Sequence, residues 1–167
     1  MLIILGGLPA TGKTMIAREL ARRCSAVCVR IDSIEQAIRD SGVLHQPLND
    51  VGYRIGYAVA EDNLGLGRTV IADSVNPLRL TRDAWMDVAN RAQVSAIEIE
   101  IKCSDASEHR HRVEARITDD PGLRPPTWEE VVSRDYHPWD REHLVIDTAG
   151  RSVAQGVATI LAALPER

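Results

Sequence analysis

The sequence predicts a three-layer α/β/α fold, in which a mostly parallel sheet is covered by helices on both faces. Three observations carry this. Short apolar runs alternate with helical patterns along the whole chain, which is how strands feed crossover helices in a parallel sheet. The first run, Leu2-Ile3-Ile4-Leu5, leads directly into Gly7-Leu8-Pro9-Ala10-Thr11-Gly12-Lys13-Thr14, a complete G-x-x-x-x-G-K-[ST] loop that opens a helix. The run Ala96–Cys103 sets Ile97, Ile99 and Ile101 against Glu98, Glu100 and Lys102, a period of two that marks a strand with one apolar and one more polar face.

Taken in order, Leu2–Leu5 is the first strand and Thr14–Arg23 the first helix. Val27–Ile31 is a second strand, followed by a short helix over Ser33–Asp40 that stops near Gly42. Pro47 and Asn49 mark a loop before a longer helix, Val51–Leu66, whose start is weakened by Gly52 and Gly56. Thr69–Ala72 is the third strand, Thr81–Arg91 a helix, Ala96–Cys103 the fourth strand and Ala106–Ile117 a helix rich in Arg and His. Asp119–Pro126 is irregular, and Thr127-Trp128-Glu129-Glu130 is a capping box that opens another helix. Leu144–Ile146 is the last strand and Val153–Leu164 the closing helix. Ligands in such sheets lie beyond the carboxyl ends of the strands, so the loops after Leu5, Ile31, Ala72, Cys103 and Ile146 converge on one site.

With 167 residues, 44% hydrophobic and 26% charged, the chain reads as one domain with a real core. The net charge of −4 gives no global pull toward nucleic acid or an anionic membrane. The apolar stretches fall far short of a membrane span, and Leu2–Leu5 is too short for the core of a signal peptide. Cys24, Cys28 and Cys103 have no metal-ligand spacing, and they read as buried, inert thiols of a reducing cytoplasm.

The glycine-rich loop explains itself chemically. Its backbone N–H groups turn inward around phosphate oxygens, and the following helix adds its positive N-terminal dipole. Gly7, Leu8, Pro9, Ala10, Thr11, Gly12, Lys13 and Thr14, with Met15 just beyond, are therefore the expected nucleotide contacts. Lys13 reaches the outer phosphates and Thr14 offers a hydroxyl to Mg²⁺.

Two acids end strands. Asp32 can orient or deprotonate an acceptor hydroxyl; Asp32-Ser33-Ile34-Glu35 equally fits a helix cap. Asp73, closing Val70-Ile71-Ala72-Asp73, stands where a carboxylate holds Mg²⁺, against the bland alternative of a turn residue before Asn76-Pro77. Arg112 and Arg116 are four apart and share a helix face, so an arginine-bearing lid that closes over the phosphates is expected there, with Arg110 and Arg124 as weaker contributors. His109 and His111 point to different faces and suggest no metal site. Trp85, Trp128 and Trp139 read as packing residues. Thr148, within Asp147-Thr148-Ala149-Gly150, fits a wall for the adenine and equally a plain turn.

With these residues in place the chain resembles the small P-loop kinases of the AAA_33 type, among them zeta toxins, chloramphenicol phosphotransferase, gluconate kinase, adenylyl-sulfate kinase and the kinase domain of polynucleotide kinase. The resemblance rests on Gly7–Thr14, on Ile31-Asp32, on Val70–Asp73 with Asn76, and on the arginine-rich segment 110–116 behind Cys103-Ser104-Asp105. It implies a P-loop NTPase of nucleoside/shikimate-kinase type with a five-stranded parallel sheet in 2-3-1-4-5 order, a lid between residues 117 and 127, ATP·Mg²⁺ as donor and Asp32 as the activating base.

The expected activity is phosphorylation of a hydroxyl on a small molecule. Asp32, Arg39, Tyr53, Tyr57, Asp73 and Asn76, with Glu61 and Asp62 nearby, would build the acceptor pocket. Acids and tyrosines there favour a neutral polyol-like acceptor, while Arg30, Arg39 and Arg54 leave room for an anionic one. Two alternatives stand beside this: phosphorylation of a nucleic-acid 5′-hydroxyl, against which the acidic balance counts, and a nucleotide-dependent regulatory ATPase. No motif names the acceptor or an oligomeric state.

Overall fold

A computed structural model describes residues 1–43, 47–116 and 125–165 of the chain. Leu2–Gly6, buried along its whole length, is the central strand β1. It continues through the phosphate loop into α1 (Lys13–Cys24), then β2 (Val27–Arg30), α2 (Ile31–Asp40), α3 (Val51–Gly65), β3 (Val70–Asp73) and α4 (Arg79–Arg91). The second half runs β4 (Ala96–Lys102), α5 (Ala106–Glu114), α6 (Trp128–Val132), β5 (Leu144–Asp147) and α7 (Val153–Ala163). The five strands pair in parallel in the order β2-β3-β1-β4-β5.

Alternation along each strand divides the core between the two faces of the sheet. Ile3 and Leu5 join Ile99, Ile101 and Ile146 under α1 and α7, where Ile16, Leu20, Val157 and Ile160 meet them. Leu2 and Ile4 face the other way, with Val29, Val70, Ala72, Ala60, Leu64 and the fully buried Trp85 of α4. α7 begins with a capping box, the Ser152 hydroxyl accepting from Gln155 N–H while Gln155 caps Ser152 N–H. The predicted capping box at α6 is also present, between Thr127 and Glu130.

Several boundaries differ from expectation for identifiable reasons. β2 ends at Arg30 and α2 begins at once, so Asp32 lies in the first turn of a helix whose N-cap is Arg30; the capping alternative for Asp32 is excluded. α5 ends at Glu114, so Arg116 lies past the helix and does not share a helix face with Arg112. The glycines that weaken α3 on propensity are demanded by packing. A Cβ on Gly56 would stand 2.4 Å from Ile31 Cδ1, and one on Gly52 would stand 2.5 Å from Glu35 Cγ. α3 therefore lies close against α2 and sets its position beside the sheet. Cys24 and Cys103 are buried as expected, whereas Cys28, on the edge strand β2, is exposed.

The polar face of β4 is covered rather than solvated. Segment 134–143 crosses it as an irregular strap, and Glu98, only 5% exposed, is gripped by the Arg141 guanidinium, which also binds Asp83. Glu100 accepts from the Tyr136 hydroxyl at 3.3 Å, and Tyr136 in turn accepts from Trp139 Nε1 at 3.0 Å. Buried Arg82 stacks 4.6 Å over the Trp139 ring and donates to the carbonyls of His137 and Pro138. Pairing lets a sheet with acids on one face still be buried on both.

Candidate active site

The register of the sheet assembles the site. Leu5 pairs with Asp73 and Asp73 with Arg30, so the carboxyl ends of β1, β3 and β2 finish level with one another. The phosphate loop springs from the middle of that edge. Gly7 adopts φ +137°, and a Cβ there would meet the Ile101 carbonyl oxygen at 2.0 Å, so only glycine lets the loop leave between β1 and β4. Gly12, at φ +97°, is the N-cap of α1 and turns the chain into the helix.

The loop is held from several sides. Thr11 Oγ1 and Lys13 Nζ donate to the Leu8 carbonyl at 2.9 and 2.7 Å. Thr148 Oγ1 donates to the Thr11 carbonyl at 2.9 Å and accepts from Arg112 Nη1 at 2.8 Å. Arg112 also donates to the Thr148 carbonyl and pairs with Glu108, which accepts from Gly150 N–H. Arg112 and Thr148 thus tie α5, the β5–α7 turn and the phosphate loop together. Buried His109 donates from Nε2 to the Pro9 carbonyl and meets the Trp128 ring edge-on. The loop bond of His109 has no signal in the sequence, because histidine on a helix face usually signifies only packing.

A cavity of about 650 Å³ opens over this edge, within the size range of small-ligand sites. Lys13, Thr14, Asp32, Asp73, Arg112, Arg116 and Thr148 all line it, as do Pro9, Ala10, Gly12 and Met15. Burial pushes the Lys13 ammonium down to about 8, against the pull of Asp73 and Asp32 and helped by Arg116 and Arg134. Burial raises the Asp73 carboxyl, opposed by Lys13 and by a hydrogen bond with Thr14. Asp73 Oδ2 is buried and makes no hydrogen bond. A carboxylate oxygen left without a donor beside a threonine hydroxyl is a donor set that fits Mg²⁺. Asp32 is half exposed and lies 3.4 Å from Arg30.

The acceptor residues divide. Arg39 lines the cavity, paired with Glu35 at 3.0 Å, while Tyr53, Tyr57 and Asn76 do not. Asn76, fully buried at φ +48°, donates to the Leu5 carbonyl at 2.7 Å and accepts from Trp85 Nε1 at 3.1 Å, bracing β1 against α4. Tyr53 accepts from Asn76 N–H, and Tyr57 donates to the Thr81 carbonyl and packs edge-on against Trp85. Glu61 pairs with Arg91 on the surface. These groups satisfy one another and do not reach the cavity. Arg134, absent from the expected set, does line it. Arg110 pairs with Glu114 at the surface. Arg124 and residues 117–124 of the expected lid lie outside the described residues; Pro125 and Pro126 border the cavity.

A parallel sheet in this order, with a glycine-rich loop between its central strand and α1 and an acid closing the neighbouring strand, is a P-loop nucleoside triphosphatase fold. The model of the AAA domain family AAA_33 matches residues 2–129, and the chain belongs to that family. No curated protein matches the sequence. Among solved structures, a candidate kinase from Chloroflexus aurantiacus is 22% identical with a TM-score of 0.74, covering 98% of either chain. Kti12 from Chaetomium thermophilum, in complex with ADP-AlF3, is 22% identical with a TM-score of 0.70, over 99% of this chain and 100% of that one. The APS kinase CysC of Mycobacterium tuberculosis, in complex with AMPPNP and APS, is 18% identical with a TM-score of 0.69, over 96% and 95%. At these identities the likeness establishes the shared fold. Among the described residues no helix is long and apolar enough to cross a membrane.

Proposed function

We propose that the protein is a kinase that moves the terminal phosphoryl group of ATP to a hydroxyl of a small molecule. The observation that carries this reading is the convergence of Lys13, Asp32 and Asp73 on one cavity, with Arg112 and Arg116 along its rim. The phosphate loop and Lys13 hold the triphosphate, and Thr148, Arg151 and Val153 border the end of the cavity under β5 and α7, where the nucleoside would lie. Thr14 and Asp73 would hold Mg²⁺, which offsets charge on the phosphate oxygens when bound. Asp32 lies at the β2 end, on the acceptor side.

In the transfer, the acceptor oxygen forms a bond to the γ-phosphorus while the bond from that phosphorus to the β–γ bridging oxygen breaks. ADP leaves with the bridging oxygen, and the hydroxyl proton passes to Asp32. Arg116, which has no partner among the described residues, and Lys13 meet the charge on the transferred group. The known names of the structural neighbours, a gluconokinase and APS kinases among them, support a kinase over a regulatory ATPase.

The test is ADP release with and without a panel of hydroxyl compounds that includes 5′-hydroxyl oligonucleotides. Acceleration by a small hydroxyl compound, with the phosphorylated product recovered, is the expected result. Acceleration only by an oligonucleotide or only by a second protein would replace this reading with one of its two rivals.

A further inference from the structure

Buried polar groups that make no hydrogen bond gather at one end of the cavity. Four buried side-chain atoms of the described residues make no hydrogen bond: Arg30 Nε, Asp73 Oδ2, Ser74 Oγ and Arg82 Nε. The first three belong to residues that line the cavity at the carboxyl ends of β2 and β3, the acceptor side. Buried groups of this kind are rare, because each is destabilising while it stays unsatisfied. Asp73 faces the metal position. What remains is the Arg30 Nε–H, 4.0 Å from Asp73 Oδ2, and the Ser74 hydroxyl beside that of Tyr53, both able to donate into the cavity.

The charge around them points the same way. Eight basic side chains and three acidic ones line the cavity, in a chain whose net charge is −4. Arg112 and Arg151 lie toward the nucleoside end, while Arg30, Arg39 and Arg134 lie toward Asp32. Arg39 is matched by Glu35 and Arg30 by Asp32. Arg134 has no anionic partner among the described residues, yet its charge reaches both Lys13 and Glu35. Arg134 is exposed at the edge of the cavity, where a guanidinium without an anionic partner can meet a ligand of the opposite charge. The tyrosines that favoured a neutral polyol are turned away into the core.

Resting on the kinase reading, we propose that the acceptor carries an oxyanion beside its reactive hydroxyl, held by Arg134, Arg30 Nε and Ser74 Oγ. Its hydroxyl then lies at Asp32, because Arg30 spans the two positions: one edge of its guanidinium is on Asp32, and its Nε, 4.0 Å from Asp73 Oδ2, makes no hydrogen bond. A hydroxy acid and a hydroxylated phosphate or sulfate ester share this chemistry.

Binding decides the matter without turnover. The full-length protein, saturated with Mg²⁺ and a non-hydrolysable ATP analogue so that the γ-phosphate position is filled, is titrated with sodium sulfate and with sodium acetate. Ionic strength is held constant with chloride, and binding is followed by calorimetry. One of the two anions should bind at one site, and which one does so separates ester from carboxylate. Arg134→Ala and Ser74→Ala should each weaken it about tenfold, as expected for loss of a hydrogen bond to a charged group, and leave affinity for the analogue unchanged. Absence of any site for either anion, or binding unaffected by both substitutions, overturns the proposal. An anion site in a protein that phosphorylates no acceptor would instead overturn the kinase reading and leave the pocket standing.

Discussion

His109 Nε2 lies 2.8 Å from the carbonyl oxygen of Pro9, so a side chain of α5 holds the crest of the phosphate loop from behind. The bond matters because the loop binds through backbone N–H groups, whose aim depends on how its carbonyls are fixed. His109→Leu should raise the KM for ATP by up to about tenfold, the scale of a hydrogen bond contributing ~0.5–1.5 kcal/mol, with kcat much less affected. Equal losses in both constants would mean that His109 acts on chemistry.

Lys13 offers a pH signature. Its folded value is pushed down to about 8 from an ordinary 10.5, so the unfolded chain binds more protons between these values. This group therefore makes the ligand-free protein more stable as pH rises from about 8 to 10.5 and gives no gain below 8. ATP binding restores the ammonium, so at pH 8 it should take up about half a proton, read by calorimetry in buffers of different ionisation enthalpy. Lys13→Ala should abolish that uptake together with most phosphoryl transfer, while keeping the fold. Proton-neutral binding by the parent protein would remove the lysine from the phosphates.

Asp32→Asn should lower kcat by ~10²–10⁴ and leave ATP affinity nearly unchanged, as expected for loss of a positioned base. Stability should hardly move, because Arg30 and not Asp32 is the N-cap of α2. Steady-state kinetics with a thermal melt checks both statements, and full activity would confine Asp32 to pairing with Arg30.

Asp73→Asn should raise the Mg²⁺ concentration for half-maximal activity, since the buried oxygen that makes no hydrogen bond loses its charge. A Mg²⁺ titration identical to that of the parent protein would assign Asp73 to holding Lys13 and Arg30.

Arg112 and Arg116 should separate. Arg112 is tied to Thr148 and Glu108, so Arg112→Ala should loosen the loop and raise the KM for ATP. Arg116 has no such ties among the described residues, and Arg116→Ala should act mainly on kcat, by up to ~10³ if it meets charge that develops during transfer. Lysine at 116 should rescue poorly for want of the planar fork. The same KM effect from both substitutions would refute the division.

The phosphate loop, the parallel sheet and the place of Asp73 were legible because local pattern decides them: a fixed glycine spacing, alternating periods, an acid closing an apolar run. Asn76 was read as an acceptor contact because it follows Asp73 closely at the strand end, and its partners Leu5 and Trp85 come together only in the folded core. Arg134 was invisible for a related reason. It stands in a stretch without periodicity, and its place over the cavity depends on anchors such as Arg141 to Glu98, 43 residues apart. Gly52 and Gly56 show propensity overruled by interhelical contact.

The strap across β4 separates grip from recognition. Trp139 and Arg141 fasten its far end to Arg82, Glu98 and Asp83, while Arg134 at its near end lines the cavity. Changes at the near end can therefore alter which molecule is accepted without loosening the sheet or disturbing the donor site. A descendant gene drifting at residue 134 would keep its phosphate chemistry and acquire a new substrate, and a library randomised at that position is the shortest route to a kinase of altered choice.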